Sequence, residues 1–178
     1  MSCEWSVVRV CIRHSLLTIT NPRLIIKHAQ QTIHHSQLAV PMFIAETQIR
    51  VRYAETDQMT VVYYGYYAQY FEVGRAESIR QLGFTYKDME AMGVIMPVVE
   101  MHCRYLRTAH YDDLLTVKTT LKELPTDHKI EFHQEVFNEN KKLLTVGRVV
   151  LYFVTANGMQ KTTMPVELYD KLKPFFAS

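Results

Sequence analysis

From Glu46 onward, polar and apolar positions fall into two rhythms that mark out the elements. Gln48, Arg50 and Arg52 alternate with Ile49, Val51 and Tyr53, the period of two expected of a strand with one buried face. Residues 54–63 break the alternation and read as a loop. From Tyr64 to Leu82 the period lengthens. Tyr67, Phe71, Gly74, Ser78 and Leu82 recur at steps of three and four, on one side of a helix. Gly74 and Ser78 are small enough to let that side lie close against a sheet. Gly83 suits the position just past a helix end. Thr85 with Asp88 predicts the cap of a short helix ending near Gly93.

Strands follow. Val99, Met101, Cys103 and Tyr105 alternate with Glu100, His102 and Arg104; Leu115 to Lys122 and Ile130 to Val136 do the same. The Asn138–Lys142 segment reads as a turn, so 128–137 and 143–155 pair as an antiparallel hairpin. Leu143–Thr155 is apolar on nearly both faces, as a central or covered strand requires. Asn157-Gly158 is a strong turn signal. Pro165 fits the first turn of a last helix, about 165–173, ended by Pro174. One long helix across one face of an antiparallel sheet is an α+β architecture. Such a sheet leaves an apolar surface or edge uncovered, so a homo-oligomer is the expected state.

Composition changes this picture mainly at the N-terminus. Hydrophobic residues make up 48% and charged residues 21%, which excludes a disordered chain. Residues 1–41 carry Arg9, Arg13, Arg23 and Lys27 against one acid, Glu4, and show neither period. The other 16 basic and 17 acidic residues leave 42–178 with net charge −1, so nothing electrostatic favours general nucleic-acid binding. The stretch 1–41 reads as an extension outside the fold. Either it is a basic, acid-poor targeting segment, or Met42 is the natural start; the second is favoured because organised pattern begins close to Met42. Arg9 interrupts any secretory core. The domain is then 42–178.

Three cysteines, Cys3, Cys11 and Cys103, make no disulfide framework, and Cys103 reads as a buried thiol. No window is apolar enough over the roughly 18–20 residues that span a bilayer. A reducing, cytoplasmic setting is the expectation.

The densest chemistry lies in 53–77, YAETDQMTVVYYGYYAQYFEVGRAE. Asp57 sits in the loop between the first strand and the long helix, seven residues before Tyr64. Amides opening a helix have no intrahelical acceptor and offer an electron-poor site. A carboxylate beside them could serve as nucleophile or general base. Pattern alone favours the plainer reading of a loop Asp as a cap or turn residue. His102, His110 and His133 are dispersed, without metal-ligand spacing. The tyrosines of 63–70 suit helix packing and pocket lining better than base stacking, since no basic surface accompanies them.

This segment resembles the active-site region of the 4-hydroxybenzoyl-CoA thioesterase-like family of the hot-dog fold superfamily. The resemblance is carried by RVRYAETD, by VVYYGYYAQYFE entering the helix, and by Arg75-Ala76-Glu77. Further on, RYLRTAHYDDLL resembles the family's strand–turn–strand join, marked by Tyr111-Asp112-Asp113. The likeness covers about 46–175. It implies a long helix wrapped by a curved antiparallel sheet, homodimers and commonly homotetramers, an active site at the dimer interface, and neither metal nor cofactor. Asp57 matches the catalytic carboxylate and Tyr64 the position whose amide polarises the thioester carbonyl. Met96, with Ile95 as the neighbouring alternative, falls near a second carbonyl donor from the partner subunit. Glu72 is placed to approach the pocket across the interface, and a solvated helix Glu is its plainer reading. His128 and Lys129 match the region that holds the nucleotide of coenzyme A, whose phosphates favour cations; a solvated hairpin tip competes there too. Thr60 and Tyr66 stand where relatives often have Gly and Asn, and Tyr64 where some have His.

The resemblance thus implies an acyl-CoA thioesterase, Asp57 either attacking directly or activating water. Two other classes stay open: a non-catalytic acyl-CoA or acyl-carrier-protein binding module, and a hot-dog dehydratase, which would need a His that the Asp57 segment lacks.

Overall fold

Eight consecutive residues with alternating side chains, Phe43–Arg50, form the first strand, β1. It belongs to a computed structural model that describes residues 41–177. The extension reading of 1–41 therefore falls almost wholly outside the described residues, as do Cys3 and Cys11. After β1 come helix α1 (Tyr66–Gln81), helix α2 (Tyr86–Ala91), a short strand β2 (Val94–Ile95), and strands β3 (Val98–Tyr105), β4 (Leu114–Leu121), β5 (Lys129–Phe137) and β6 (Leu143–Tyr152). A short strand β7 (Val154–Thr155) and helix α3 (Val166–Leu172) finish the fold. The main sheet runs β1-β4-β5-β6-β3, antiparallel at every pair, and β2 pairs with β7 in a second, two-stranded sheet.

Helix α1 lies over β1, β4 and β5. Tyr67, Phe71, Gly74 and Ser78 are buried as the helical stripe requires, joined by Tyr70, Arg75 and Ile79. The approach is close. A Cβ on Gly74 would stand 2.6 Å from Val117 and 2.9 Å from the Gln134 amide, whose Nε2 also donates to the Phe71 carbonyl at 2.8 Å. Phe71 in turn fills the space over Gly147 of β6. Leu115, Val117, Leu121, Phe132, Val136 and Val149 complete the core between helix and sheet.

The local punctuation follows the sequence. Gly83 takes φ +71° after α1. Thr85 Oγ1 accepts the Asp88 amide at 3.1 Å while Asp88 accepts the Thr85 amide at 2.8 Å, a full capping box for α2. Asn138 Oδ1 accepts from Asn140 and Lys142 to close the β5–β6 turn.

Several expectations are corrected. β1 lies about three residues earlier than the alternation at 48–53 suggests. The Arg52 amide turns to the Glu55 carboxylate instead of a strand, and Tyr53–Glu55 form a 3₁₀ turn with Tyr53 79% exposed. Helix α1 begins at Tyr66, because Tyr63–Gly65 form a turn closed by the Tyr66 amide on the Tyr63 carbonyl at 3.0 Å. Leu143–Thr155 is broken at Phe153, whose amide bonds the His128 carbonyl, sending Val154 and Thr155 to the second sheet. Pro165 caps α3 from outside, and Pro174 lies in a 3₁₀ extension. Cys103 is half-buried, not buried, because it lies on the edge strand β3 while α1 packs mainly over β1, β4 and β5. Burial still pushes its thiol up, with the Tyr105 hydroxyl pulling the other way.

Candidate active site

The chain leaves β1 into a hairpin loop built around Asp57. The Asp57 amide donates to the Val61 carbonyl at 3.0 Å, and the Thr60 amide donates to the Asp57 carbonyl at 2.9 Å. Thr56 and Val62 form the bridge beneath. Asp57 Oδ1 accepts the Met59 amide at 2.7 Å, the Asx turn that a short acid makes with its own loop. Thr60 ends the turn at φ +61°, a left-handed backbone normally given to Gly. The plainer reading of Asp57, a turn residue, is correct for Oδ1; Oδ2 has no hydrogen bond among the described residues.

The loop is tied down on several sides. The Val62 amide donates to the Ala109 carbonyl at 2.9 Å, and His110 Nδ1 lies 3.1 Å from the Thr60 carbonyl. Behind it, the Val51 amide bonds the Asp113 carbonyl and the Asp112 amide bonds Val51, so the Tyr111-Asp112-Asp113 turn latches the end of β1. His110 thus touches the Asp57 loop from a distant stretch of chain. Its Nδ1 is engaged by a carbonyl and its Nε2 faces Thr108 at 3.4 Å, a positioning contact.

Beneath the loop sits Glu55, 2% exposed. Its Oε2 accepts the Arg52 amide at 2.8 Å and the Tyr70 hydroxyl at 2.8 Å, and its Oε1 accepts Arg52 Nε at 2.7 Å. Burial is the largest single influence on this carboxyl and pushes it up. The bonds from the Arg52 amide, Tyr70 and the Arg52 guanidinium together outweigh it and hold Glu55 below the usual range. Burial, then the Glu55 charge, push the Tyr70 phenol far up, so it stays a donor.

The opening of α1 is next to this. The amides of Tyr66, Tyr67 and Ala68 turn back to the carbonyls of Tyr63, Tyr64 and Gly65. Among the described residues no carbonyl accepts from the amides of Tyr64 or Gly65. The Tyr63 amide bonds the Glu55 carbonyl at 2.9 Å, which brings the loop and the opening together. The Tyr64 phenol, then burial and the Asp57 charge, raise the Tyr63 hydroxyl. The Tyr64 ring is 62% exposed and lies 4.4 Å from that of Tyr63, and Tyr105 of β3 donates its hydroxyl to the Tyr64 carbonyl at 3.2 Å.

The other expected residues stand apart. Glu72 is exposed on α1, near Tyr86. Arg75 is buried beside Tyr86 with its Nε unpartnered. Met96 is half-buried between β2 and β3. The His128 ring packs edgewise on Tyr152 at 4.7 Å, and Lys129 pairs with Glu131 at 3.0 Å beside a cavity of about 360 Å³. Lys129 opens β5 opposite Tyr152, whereas the Asp57 loop follows the β1 end, in the row of Leu114 near the other end of β5. Nine residues of strand, about 26 Å, separate the two. Within one chain the Asp57 loop adjoins the turn that holds Tyr64 through the Tyr63–Glu55 bond, and neither lies at the end of the sheet that holds Met96, His128 and Lys129.

A long helix laid on one face of a five-stranded antiparallel sheet is the hot-dog α+β fold. A family model described as the thioesterase-like superfamily matches residues 51–172, and the chain belongs to that superfamily. The Bacillus subtilis protein YneP is 44% identical over 82 residues, 46% of this chain and 59% of that protein, so the match spans little more than half of that relative. The Haemophilus influenzae acyl-CoA thioesterase YbgC is 31% identical over 121 residues, covering 67% of this chain and 88% of that one. The crystal structure of a DHNA-CoA thioesterase from Staphylococcus aureus is 34% identical, with TM-score 0.68, over 74% of this chain and 91% of that one. Among the described residues no helix is long and apolar enough to cross a membrane.

Proposed function

We propose that this protein hydrolyses an acyl-CoA thioester to a carboxylic acid and free coenzyme A, with the activity carried by 42–178. The observation that carries the reading is a loop carboxylate, one oxygen unbonded among the described residues, in a loop that the Tyr63–Glu55 bond ties to the turn where the amides of Tyr64 and Gly65 lack acceptors. In acyl transfer the attacked carbonyl oxygen gains negative charge, and fixed N–H donors stabilise it. Asp57 is either the nucleophile or the base that takes a proton from water; either route delivers hydroxyl to the acyl carbon and a proton to the departing thiolate. The names of the YbgC and Staphylococcus relatives support a CoA thioester as substrate.

The active unit is a homodimer or homotetramer on this reading. Helix α1 leaves the β3 edge bare, with Val98, Val99, Met101 and Tyr105 exposed. Two-fold pairing of β3 with its copy sets the Tyr105 end of one chain against the Val98 end of the other. Tyr105 touches Tyr64, and Val98 follows Met96. The partner's Met96, His128 and Lys129 end would then face Asp57, which accounts for the separation of the two groups within one chain.

Thiol release from a panel of acyl-CoAs tests the chemistry. Asp57→Asn and Asp57→Ala should each lower kcat by about 10² or more with unchanged circular dichroism. An Asp57→Asn protein as active as wild type would remove Asp57 from the mechanism.

A further inference from the structure

We propose that Glu55 is a positioning residue for this hydrolysis, clamping the Asp57 loop to α1 through Tyr70. The inference rests on the assignment of Asp57 and adds to it a reason why the carboxylate and the amides keep their relation. Burying an ionised carboxylate is costly unless its lone pairs are filled. Glu55 is buried in a turn whose neighbours Arg52, Tyr53 and Ala54 are all exposed, so its burial is not a by-product of a buried segment. Three of its bonds come from Arg52 within the same turn, including Arg52 Nη2 at 2.6 Å. The fourth comes from Tyr70, fifteen residues on and in the body of α1.

The same residue holds the other side of the loop with its main chain. Its carbonyl accepts the Tyr63 amide, one residue ahead of Tyr64, and the Thr56–Val62 bridge and the Asp57–Val61 bond stand directly on that pairing. Glu55 therefore fixes the base of the hairpin to the helix that follows the turn of the free amides. Tyr70 is itself set by Tyr67, whose ring lies 5.7 Å away and is buried. Losing the carboxylate–phenol bond leaves both catalytic parts intact and frees the angle between them. Reaction rate depends steeply on such orientation, whereas binding of the rest of the thioester does not. The defect should therefore fall on kcat and spare KM.

Tyr70→Phe removes only the bonding hydroxyl, and Glu55→Gln replaces an acceptor oxygen by an amide NH2 that faces donors. Each should lower kcat about tenfold or more while KM stays within about threefold. The double variant should be no slower than the slower single, since Glu55→Gln already disrupts the bond that Tyr70→Phe removes. Thermal melts and sedimentation, run beside the kinetics, report the folded and assembled fraction. A kcat per folded site equal to wild type in Tyr70→Phe overturns the proposal and leaves Glu55 a purely structural carboxylate. So does additive loss in the double variant. Asp57→Asn is measured in parallel: if it is inactive while Tyr70→Phe is fully active, only the clamp fails. If Asp57→Asn is active, the assignment of Asp57 fails first and the clamp with it.

Discussion

Thr60 holds a left-handed backbone that a β-branched side chain resists, three residues after Asp57. The loop is a short hairpin connection whose last position ordinarily belongs to Gly. Forcing an L-residue there costs about 1–2 kcal/mol. Glycine's larger unfolded-state entropy returns part of that, so Thr60→Gly should raise stability by about 0.5–1 kcal/mol in chemical denaturation. A decrease would mean that the Thr60 side chain makes compensating contacts. At this scale the sequence was readable only in part. Asp57 could be placed in a loop before the helix, but only the family resemblance marked it out from a plain turn residue. Glu55 did not stand out, because its role comes from Tyr70, fifteen positions away, and an acid in a loop carries no sign of burial. His110 was missed for the same reason: its contact with the loop joins residues fifty positions apart.

The closeness of α1 to the sheet depends on one hydrogen atom. Gly74 has Val117, Gln134 and Thr119 within 3.0 Å of where a Cβ would stand, inside van der Waals contact. Gly74→Ala should therefore destabilise the protein by about 1–3 kcal/mol, even though Ala is the better helix former. A denaturation midpoint at or above wild type would show that the helix can move off. The small-residue stripe made this contact legible, since periodicity is set by the face an element buries. Element ends were less legible. Tyr64 and Gly65 continue the helical rhythm but spend their backbones on a turn. The long apolar run after Leu143 hides a change of sheet at Phe153, which only its bond to His128 reveals. The β3 alternation was correct as a strand, yet its apolar face is open because α1 sits toward the other edge.

At the scale of the molecule, the bare β3 edge is where further copies would meet. Met101 is 43% exposed there and points to the same side as the core residue Val149. A charge at this position would appear twice across a two-fold contact and be desolvated each time. Met101→Lys should shift the protein toward monomer in sedimentation velocity and lower turnover per chain by about tenfold. Wild-type assembly with normal turnover would place the contact elsewhere. The outer face of the sheet is different in kind, a lattice in which Arg148 joins Glu100 and Glu131. The bond from Tyr105 to the Tyr64 carbonyl gives the apolar edge a second meaning. A neighbour seated on β3 would also brace the peptide plane between Tyr64 and Gly65, where that carbonyl and an unbonded N–H share one rigid unit. Separation of the copies would then be felt as a tilt of the polarising dipole, well before any part of the chain unfolds.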